Sequence, residues 1–388
     1  MMFLTIIMYI IFGIATFCII WAMGGYHISL KIIDKIYKKK CTKTQDKKLT
    51  VTVMIVAHNE EKVINSKLEN VIDNDYPKNK IKYIIASDNS NDNTNSIVEA
   101  FINSHTDIDM TLYTTQEHMG KTNAQNEAAE FVDTEILIMT DANAMFKKNA
   151  ISELISSFSD EKISYVCGAL IYTNTDNLTA FSESSYWNGE LRMRLIESKI
   201  KTITAGNGAI YACRMQDYIK IQPIECHDSS WPYIYGIHGR RAIFNEKAIA
   251  YEKAGESTED EYKRKVRMNR VILEHIRNGL KALNIFKYGW FSYFYFGHRT
   301  VRYLLWLNHL LVLISSIVLA CNNGGIWKSL VLAQVFFYAA GFGGKFTKNK
   351  YIHMIYYYCI TVVAQWHGVI NCIMGKTKST WESVQSTR

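Results

Sequence analysis

The chain has 388 residues, with 44 lysines and arginines against 36 aspartates and glutamates, so its formal net charge is +8. Hydrophobic residues make up 48% and charged residues 21% of the chain, which excludes a disordered chain, a collagen-like repeat and a small disulfide-stapled domain. The charge is unevenly spread, because residues 1–30, 303–327, 329–344 and 351–375 contain no Asp, Glu, Lys or Arg. Uncharged stretches of this length are typical of membrane segments.

The chain begins with an apolar run. Residues 2–23 provide the roughly 20 apolar residues that a membrane span needs, so we predict a transmembrane helix over 1–24. A cleaved signal peptide is the alternative, but it would have a basic residue before a shorter apolar run. Residues 31–48 carry eight lysines against two aspartates, and we predict a basic collar over 25–48 that the positive-inside rule places in the cytoplasm. This juxtamembrane collar favours a membrane surface rather than nucleic acid as partner.

The middle of the chain alternates between apolar runs and helical patterns. Buried strands are predicted at 51–57, 81–87 and 135–140, with a shorter one at 110–114, and helices at 60–74, 93–103 and 121–131. This repetition predicts an α/β domain with a mostly parallel sheet. Ligands bind such sheets beyond the carboxyl ends of the strands, so the residues after each strand are the first site candidates.

Polar residues follow each predicted strand. They are Asn59 and Glu60 after Ala57, then Asp88 and Asp92, then Lys121 at the start of a helix, and finally Asp141 and Asn143. Any one such group is most often a turn or a helix N-cap. Together they suit a nucleotide diphosphate, since Asp88 can accept hydrogen bonds from a base or ribose and Lys121 can neutralise a phosphate. Asp141 and Asn143 offer oxygen ligands to a divalent cation.

Four motifs occur in the order of a known family: VMIVAHNEE, SDNSNDNT, GKTNAQN and MTDANAMF. Over about residues 50–285 the sequence resembles a membrane-bound family 2 glycosyltransferase with a GT-A fold, a group that includes bacterial polysaccharide or capsule, chitooligosaccharide and hyaluronan-type synthases. The resemblance implies donor-binding roles for the residues named above. It also implies Mg²⁺ or Mn²⁺ at Asp141 and Asn143, where the amide replaces the second carboxylate of the usual D-x-D motif and brings less charge.

The second half of the domain resembles the acceptor side of that family. The segment GNGAIYACR (206–214) implies acceptor contacts for Gly206, Gly208 and Tyr211, with a glycine-rich turn before a strand as the alternative. The segment HDSSWP (227–232) implies Asp228 as the catalytic base and Trp231 as an acceptor contact, with a helix N-cap as the alternative for Asp228. An inverting transfer needs one carboxylate to deprotonate the acceptor hydroxyl.

A basic stretch follows at 262–281. Processive synthases carry Q-x-x-R-W here, and Arg267 matches the arginine, which implies a contact with the donor phosphates. Arg264 replaces the glutamine, and Met268 replaces the tryptophan that forms an aromatic platform near the acceptor. A basic helix at the membrane surface is the alternative for the other cations.

Three further apolar segments, 303–322, 326–344 and 351–374, each suit a span. Three spans after the domain would place the tail outside, although its cations and its TW…R ending resemble a cytoplasmic end. The last segment is therefore a candidate for a re-entrant or interfacial segment, since polar residues interrupt it. The predicted domains are 1–24, 25–48, a GT-A domain at 49–290 (nucleotide-sugar half 49–150, acceptor half 151–290), interfacial and transmembrane helices at 291–375, and a polar tail at 376–388.

These features predict an α/β, GT-A cytoplasmic domain with one N-terminal and two to three C-terminal transmembrane helices in a multi-pass cell-membrane protein. The expected function is inverting transfer of a sugar from a nucleotide-diphosphate donor, with UDP as the expected nucleotide, to a growing poly- or oligosaccharide. The alternative is a single addition to a lipid-phosphate or lipid-linked acceptor. The ordered set of Asp88, Lys121, Asp141 and Asp228 argues against an inactive membrane scaffold.

Overall fold

The computed structural model describes residues 2–37, 49–174, 178–255 and 257–380. The chain forms two compact units. We call the unit of residues 37–175, 187–255 and 377–388 the sheet unit, and the unit of residues 1–36, 176–186 and 256–376 the helical unit. Most of the lysine collar lies at 38–48, outside the described residues.

The sheet unit is built on a mixed eight-stranded sheet with the order β3-β2-β1-β4-β7-β6-β8-β5. Its strands are β1 (Val51–Ala57), β2 (Ile81–Ser87), β3 (Met110–Thr114), β4 (Ile136–Asp141), β5 (Met145–Phe146), β6 (Ile163–Tyr172), β7 (Tyr211–Arg214) and β8 (Arg241–Glu252). The first four strands pair in parallel, and so do β6 and β8, whereas the pairings of β4 with β7, β6 with β7 and β5 with β8 are antiparallel. The predicted α/β fold with a mostly parallel sheet is confirmed.

Helices cover both faces of this sheet, which is why β1 is buried along its whole length and apolar except at Thr52. Val53 and Ile55 face one apolar cluster, and Met54 and Val56 face the other. The first cluster includes side chains of α3 (Ile64–Ile72), α4 (Thr94–Ser104) and α6 (Ala150–Ser156). The second includes side chains of α5 (Lys121–Ala128) and α8 (His227–Ile237).

The helical unit has no β-strand among its described residues and consists of packed helices. They are α1 (Met2–Ile20), α2 (Tyr26–Ile36), the first part of α7 (Leu178–Ile200), α9 (Thr258–Met268), α10 (Ile272–Ala282), α11 (Ile285–Tyr288), α12 (Trp290–Tyr295), α13 (Val301–Tyr303), α14 (Leu305–Asn323), α15 (Ile326–Gly343) and α16 (Lys350–Ile373). Helix α1 packs against α14, α14 against α15, and α15 against α16.

Three helical segments among the described residues are long and apolar enough to cross a membrane: Met2–Ile36, Leu305–Asn323 and Ile326–Phe346. One is N-terminal and two are C-terminal, in agreement with the predicted arrangement. Helix α16 covers the third predicted segment but is not one of these candidates. It buries polar residues such as His353 and Gln365 on one of its faces, which fits the sequence-based suspicion that this segment differs from its neighbours.

Candidate active site

Three strands of the sheet unit end at one edge of the sheet. Residue Ala57 at the end of β1 is in register with Ser87 of β2, and Val56 with Asp141 of β4. The segments that follow these strands therefore meet at this edge, as the parallel arrangement predicts.

Hydrogen bonds connect the loops after β1 and β2. Asn59 takes a positive φ of 56°, and its side-chain oxygen accepts a hydrogen bond from the Asn91 amide at 2.9 Å. The Glu60 amide donates to Thr94 Oγ1 at 2.8 Å, and the Asp88 amide donates to the Ala57 carbonyl at 2.9 Å. The structure thus gives Ala57, Asn59 and Glu60 places in the wall of the site, and their contact with a donor stays a prediction.

Asp92 also contributes to the hydrogen bonds between these two loops. Its two carboxylate oxygens accept hydrogen bonds from the backbone amides of Thr94 at 2.9 Å and Glu61 at 3.1 Å. Partial burial raises the pKa of Asp92, but the hydrogen bonds from Thr94 and Glu61 outweigh it and leave the pKa below its usual range. These contacts favour a role in shaping the loop at the start of α4 over the predicted direct donor contact.

Asp88 organises the turn that precedes α5. It is almost completely buried, and its carboxylate accepts hydrogen bonds from the amides of Met119 at 3.1 Å and Gly120 at 2.8 Å. The His118 Nδ1 atom lies 2.8 Å from the same carboxylate. The His118 ring stacks on the His58 ring with centroids 3.8 Å apart, so a pair of partly exposed imidazoles covers Asp88.

This histidine pair is not among the site residues predicted from the sequence, although His58 lies within the motif VMIVAHNEE and His118 lies just before the motif GKTNAQN. Among the described residues, His58, Asp88 and His118 also form a group whose possible metal-ligand atoms lie within 4.8 Å of one another. The Asp88 carboxylate already accepts two backbone hydrogen bonds here, and a metal ion would compete with them. We therefore interpret the group as a hydrogen-bonded wall of the pocket.

Lys121 and Asp141 form an ion pair at the centre of the edge. Gly120 has a φ of 102°, which only glycine adopts readily, and it lets Lys121 begin α5 directly above the end of β4. Burial lowers the pKa of Lys121, but Asp141 and Asp228 together raise it by more than burial lowers it. The net pKa therefore lies above its ordinary value. Lys121 is therefore a permanent cation at the position where a diphosphate is expected.

The oxygens of Asp141 and Asn143 suit a divalent cation. Asp141 ends β4 with a side chain that is about one-third exposed, and Asn143 follows two residues later with its side chain partly exposed. Carboxylate and amide oxygens are the ligands that Mg²⁺ and Mn²⁺ prefer. The residues present therefore fit such an ion, with one formal charge fewer than a pair of aspartates.

The glycine-rich segment closes over this ion pair. A Cβ atom on Gly208 would lie 3.0 Å from Lys121 Nζ and 3.2 Å from Asp141 Oδ2, so Gly208 lets the backbone approach both. The Gly206 amide donates to the Asp228 carbonyl at 2.7 Å, and a side chain at Gly206 would collide with the Tyr165 hydroxyl. Close approach therefore requires glycine at 206, whereas glycine at 208 avoids tight contacts with the ends of two side chains.

Asp228 lies at the start of α8, one residue after its first residue. The N-cap is Cys226, so the alternative of Asp228 as the N-cap is not what the structure shows. Burial raises the pKa of the Asp228 carboxyl, while Lys121 lowers it, Asp141 raises it and Arg194 lowers it, and the net pKa is above its usual range. A carboxylate with a raised pKa is a better proton acceptor.

Tyr211 and Trp231 are core residues. Trp231 is fully buried, and its Nε1 donates to the Ile219 carbonyl at 2.9 Å. Tyr211 is 1% exposed, and its hydroxyl accepts a hydrogen bond from Gln125 at 2.9 Å. These satisfied, buried side chains favour a structural role for both residues, and their contact with an acceptor stays a prediction.

Helix α9 lies in the helical unit and carries Arg267. Its neighbour Arg264 forms ion pairs with the buried Glu183 and with Glu261, and Lys265 lies 3.6 Å from Glu183. Burial raises the pKa of Glu183, but Lys265 and Arg264 outweigh it and hold the pKa at about 2. The cations at 264 and 265 are therefore matched to carboxylates within their own unit, and the donor contact of Arg267 stays a prediction.

His227 is buried next to Asp228 on α8 and joins this helix to α5. Its Nδ1 lies 3.0 Å from the Gln125 side-chain oxygen, and its Nε2 lies 3.1 Å from the Asn126 side-chain oxygen. Burial, with a smaller effect of Lys121, lowers the pKa of His227 to about 3. The imidazole is therefore neutral at physiological pH, and Asp228 is the carboxylate at this position.

The chain shares sequence and fold with known proteins. Residues 52–219 match the family model described as glycosyl transferase family 2. The chain is 32% identical over 120 residues to "Probable glycosyltransferase YdaM" of Bacillus subtilis (strain 168), which covers 30% of this chain and 29% of that protein. It is 25% identical over 211 residues to hyaluronan synthase of Streptococcus pyogenes, covering 53% of this chain and 50% of that protein.

The chain thus spans half or less of the length of these curated relatives. Among solved structures, a mannosyltransferase of Pyrobaculum calidifontis in complex with GDP-Man and Mn²⁺ has a TM-score of 0.72 at 18% identity. That comparison covers 94% of this chain and 99% of that chain, and it shows that the two share a fold.

The neutral state of His227 predicts a pH dependence of stability. Unfolding restores the ordinary pKa near 6.5, so the unfolded chain binds more protons than the folded chain between pH 6.5 and 3. His227 should therefore contribute a loss of about 1.4 kcal/mol in stability for each pH unit below 6.5, down to pH 3. Thermal unfolding of the detergent-solubilised protein between pH 7.5 and 4.5 measures this fall.

The variant His227→Gln should show a shallower fall than the wild type, because it removes the titrating group. His238→Gln, at the exposed end of the same helix, is the matched control and should follow the wild type. Parallel pH profiles for the wild type and His227→Gln would contradict the assignment.

Proposed function

We propose that this protein, whose residues 52–219 match the glycosyl transferase family 2 model, is an inverting glycosyltransferase with a nucleotide-diphosphate sugar as donor. The acceptor in this proposal is a growing poly- or oligosaccharide at the cytoplasmic face of the membrane. The observation that carries the proposal is the meeting of Lys121, Asp141 and Asp228 beneath the glycine segment at one edge of the sheet. A cation, an oxygen ligand for a metal and a general base are the three groups that such a transfer needs.

The donor is assigned to the pocket between the loops after β1, β2 and β4. Lys121 supplies positive charge to the diphosphate, and the wall formed by His58, Asp88 and His118 faces the nucleotide. The neighbour of similar fold is described as a complex with GDP-Man and Mn²⁺, which supports a nucleotide-sugar donor in the same fold. The UDP group is our working assignment from the family resemblance.

Asp141 and Asn143 are the residues that would hold a divalent cation. When bound, Mg²⁺ or Mn²⁺ would neutralise charge on the diphosphate and so make it a better leaving group. The Mn²⁺ in the neighbour of similar fold supports this choice of ion, and both ions remain candidates.

Asp228 is assigned as the base. It removes the proton of the acceptor hydroxyl as that oxygen forms a bond to the anomeric carbon, and the bond from this carbon to the diphosphate oxygen breaks. Attack from the side opposite the leaving group inverts the configuration. The charges of Lys121 and Arg194 oppose the effect of burial on this carboxyl, since both lower its pKa, while its net pKa stays above the usual range.

The membrane helices are compatible with a cytoplasmic domain. Among the described residues, one candidate span precedes the domain and two follow it, and with this count a cytoplasmic domain would place the tail in the cytoplasm as well. The lysines at 31–48 favour that side by the positive-inside rule. This count also removes the conflict between three C-terminal spans and a basic tail.

A single addition to a lipid-linked acceptor is the second candidate. It is favoured by the stretch 264–268, where Arg264 and Met268 stand in place of the glutamine and tryptophan of processive synthases. Arg264 pairs with Glu183 and Glu261, so it has a structural role that a glutamine would not fulfil in the same way.

The base assignment predicts the behaviour of Asp228→Asn. This variant should lose at least 100-fold in transfer rate, because an amide cannot accept the proton. Binding of UDP, measured by calorimetry, should stay within about threefold of the wild type, since the donor contacts remain. Asp133→Asn, an exposed aspartate paired with Lys82, is the control and should keep full activity. Full activity of Asp228→Asn would refute the assignment.

The metal assignment predicts that EDTA stops transfer and that Mg²⁺ or Mn²⁺ restores it. In Asp141→Asn, which lowers the charge of the ligand set, restoration should need at least tenfold more metal. Titration of initial rates with MnCl₂ measures the requirement. Unchanged transfer in excess EDTA would overturn the role of Asp141.

The acceptor class is tested by the size of the product. Membranes that contain the protein are incubated with a panel of labelled nucleotide sugars, and the products are separated by length. A ladder of lengths is expected for a polysaccharide synthase. One added sugar on a chloroform-soluble product would support the second candidate and overturn the first.

A further inference from the structure

Lys67 is a lysine without any contact with solvent. It lies on α3, among the largest fully buried side chains of the protein, and its exposed fraction is 0%. Burial of an ammonium group is costly unless charges and hydrogen bonds compensate for it. This lysine is therefore expected to have a task that an apolar residue in its place could not perform.

The partners of Lys67 belong to the end of β4, the loop after it and β5. Its Nζ donates hydrogen bonds to Thr140 Oγ1 at 3.0 Å and to the Ala144 carbonyl, and it lies 4.0 Å from the centre of the Phe146 ring in β5. Thr140 stands directly before Asp141, and Ala144 directly after Asn143. Lys67 thus holds both ends of the segment that carries the proposed metal ligands.

The same contacts reach the glycine segment. Thr140 Oγ1 accepts from Lys67 and donates its own proton to the Ala209 carbonyl at 2.7 Å. Ala209 follows Gly208, whose backbone lies against Lys121 and Asp141. One chain of hydrogen bonds therefore runs from the buried ammonium group through the metal-ligand loop to the segment that covers the ion pair.

The surrounding charges match this position. Burial lowers the pKa of Lys67 more than Asp141 and Glu252 raise it, and the net pKa is about 7. The carboxylate of Asp141 therefore has Lys121 on the pocket side and the field of Lys67 from the core side.

We infer that Lys67 is a positioning residue for metal and donor binding, which fixes the loop of Asp141 and Asn143 and the adjoining glycine segment from inside the core. This inference rests on the proposed function. It assigns to a core residue a share of the affinity for the metal–nucleotide complex, although Lys67 has no access to either ligand.

The test compares Lys67→Met, Lys67→Gln and the wild type as full-length, detergent-solubilised protein. Methionine fills the space without a donor, and glutamine keeps one donor without charge. Binding of Mn²⁺ in the presence of UDP is measured by electron paramagnetic resonance, and thermal unfolding is measured without ligands. Lys148→Met, an exposed lysine paired with Asp73, is the matched control.

Lys67→Met is expected to weaken Mn²⁺ binding at least tenfold while its ligand-free unfolding temperature stays equal to that of the wild type or rises, because a buried charge is removed. Lys67→Gln should recover part of the affinity through its hydrogen bond to the loop. A purely structural lysine would lower the unfolding temperature and leave the affinity of the folded fraction unchanged.

Unchanged Mn²⁺ affinity in both Lys67 variants would overturn the inference. So would an equal loss in the Lys148→Met control. Failure of the wild type itself to bind Mn²⁺ with UDP would instead refute the metal and nucleotide assigned under the proposed function, and the two failures are therefore distinguishable.

Discussion

The ion pair between Lys121 and Asp141 is the interaction on which the rest of the site depends. It can form only because β4 ends at the edge where α5 begins, and because Gly120 adopts a backbone conformation that allows this start. Gly208 then fits against both partners without a side chain. Parallel pairing of β1 with β2 and β4 is the constraint behind this arrangement, since it delivers all three strand ends to one edge.

Much of the first half of the sheet could be predicted from the sequence. Strands β1, β2 and β3 have the predicted bounds, because each is an apolar run closed by polar turn residues. The second half could not be predicted in the same way. Strand β7 has only four residues, and its antiparallel pairing with β4 and β6 depends on contacts between segments more than 40 residues apart. Local periodicity contains no information about such pairings.

The candidate site likewise contains residues that could be predicted from the sequence and residues that could not. Motif order identified Asp88, Lys121, Asp141 and Asp228, which the structure brings to one edge or its immediate cover. Tyr211 and Trp231 stand in quoted motifs, but their large side chains fill the core, where their polar atoms find partners. The burial of Lys67 could not be predicted from the sequence, because a lysine in an amphipathic helix is expected at the surface. Only the packed structure shows that it points inward, beneath the Asp141 loop.

The charges at this edge of the sheet are paired with each other when no ligand is bound. Without a ligand, Lys121 satisfies one oxygen of Asp141, so neither charge is left unpaired in a partly buried pocket. Under the proposed function, a diphosphate would compete with the Asp141 carboxylate for Lys121, because it carries more negative charge than one carboxylate. Asp141 would then be available to a cation, and Asn143 would add an oxygen without further charge. With one carboxylate fewer than two aspartates provide, such a site would depend more on a loop held in place, and the contacts of Lys67 with Thr140 and Ala144 hold this loop.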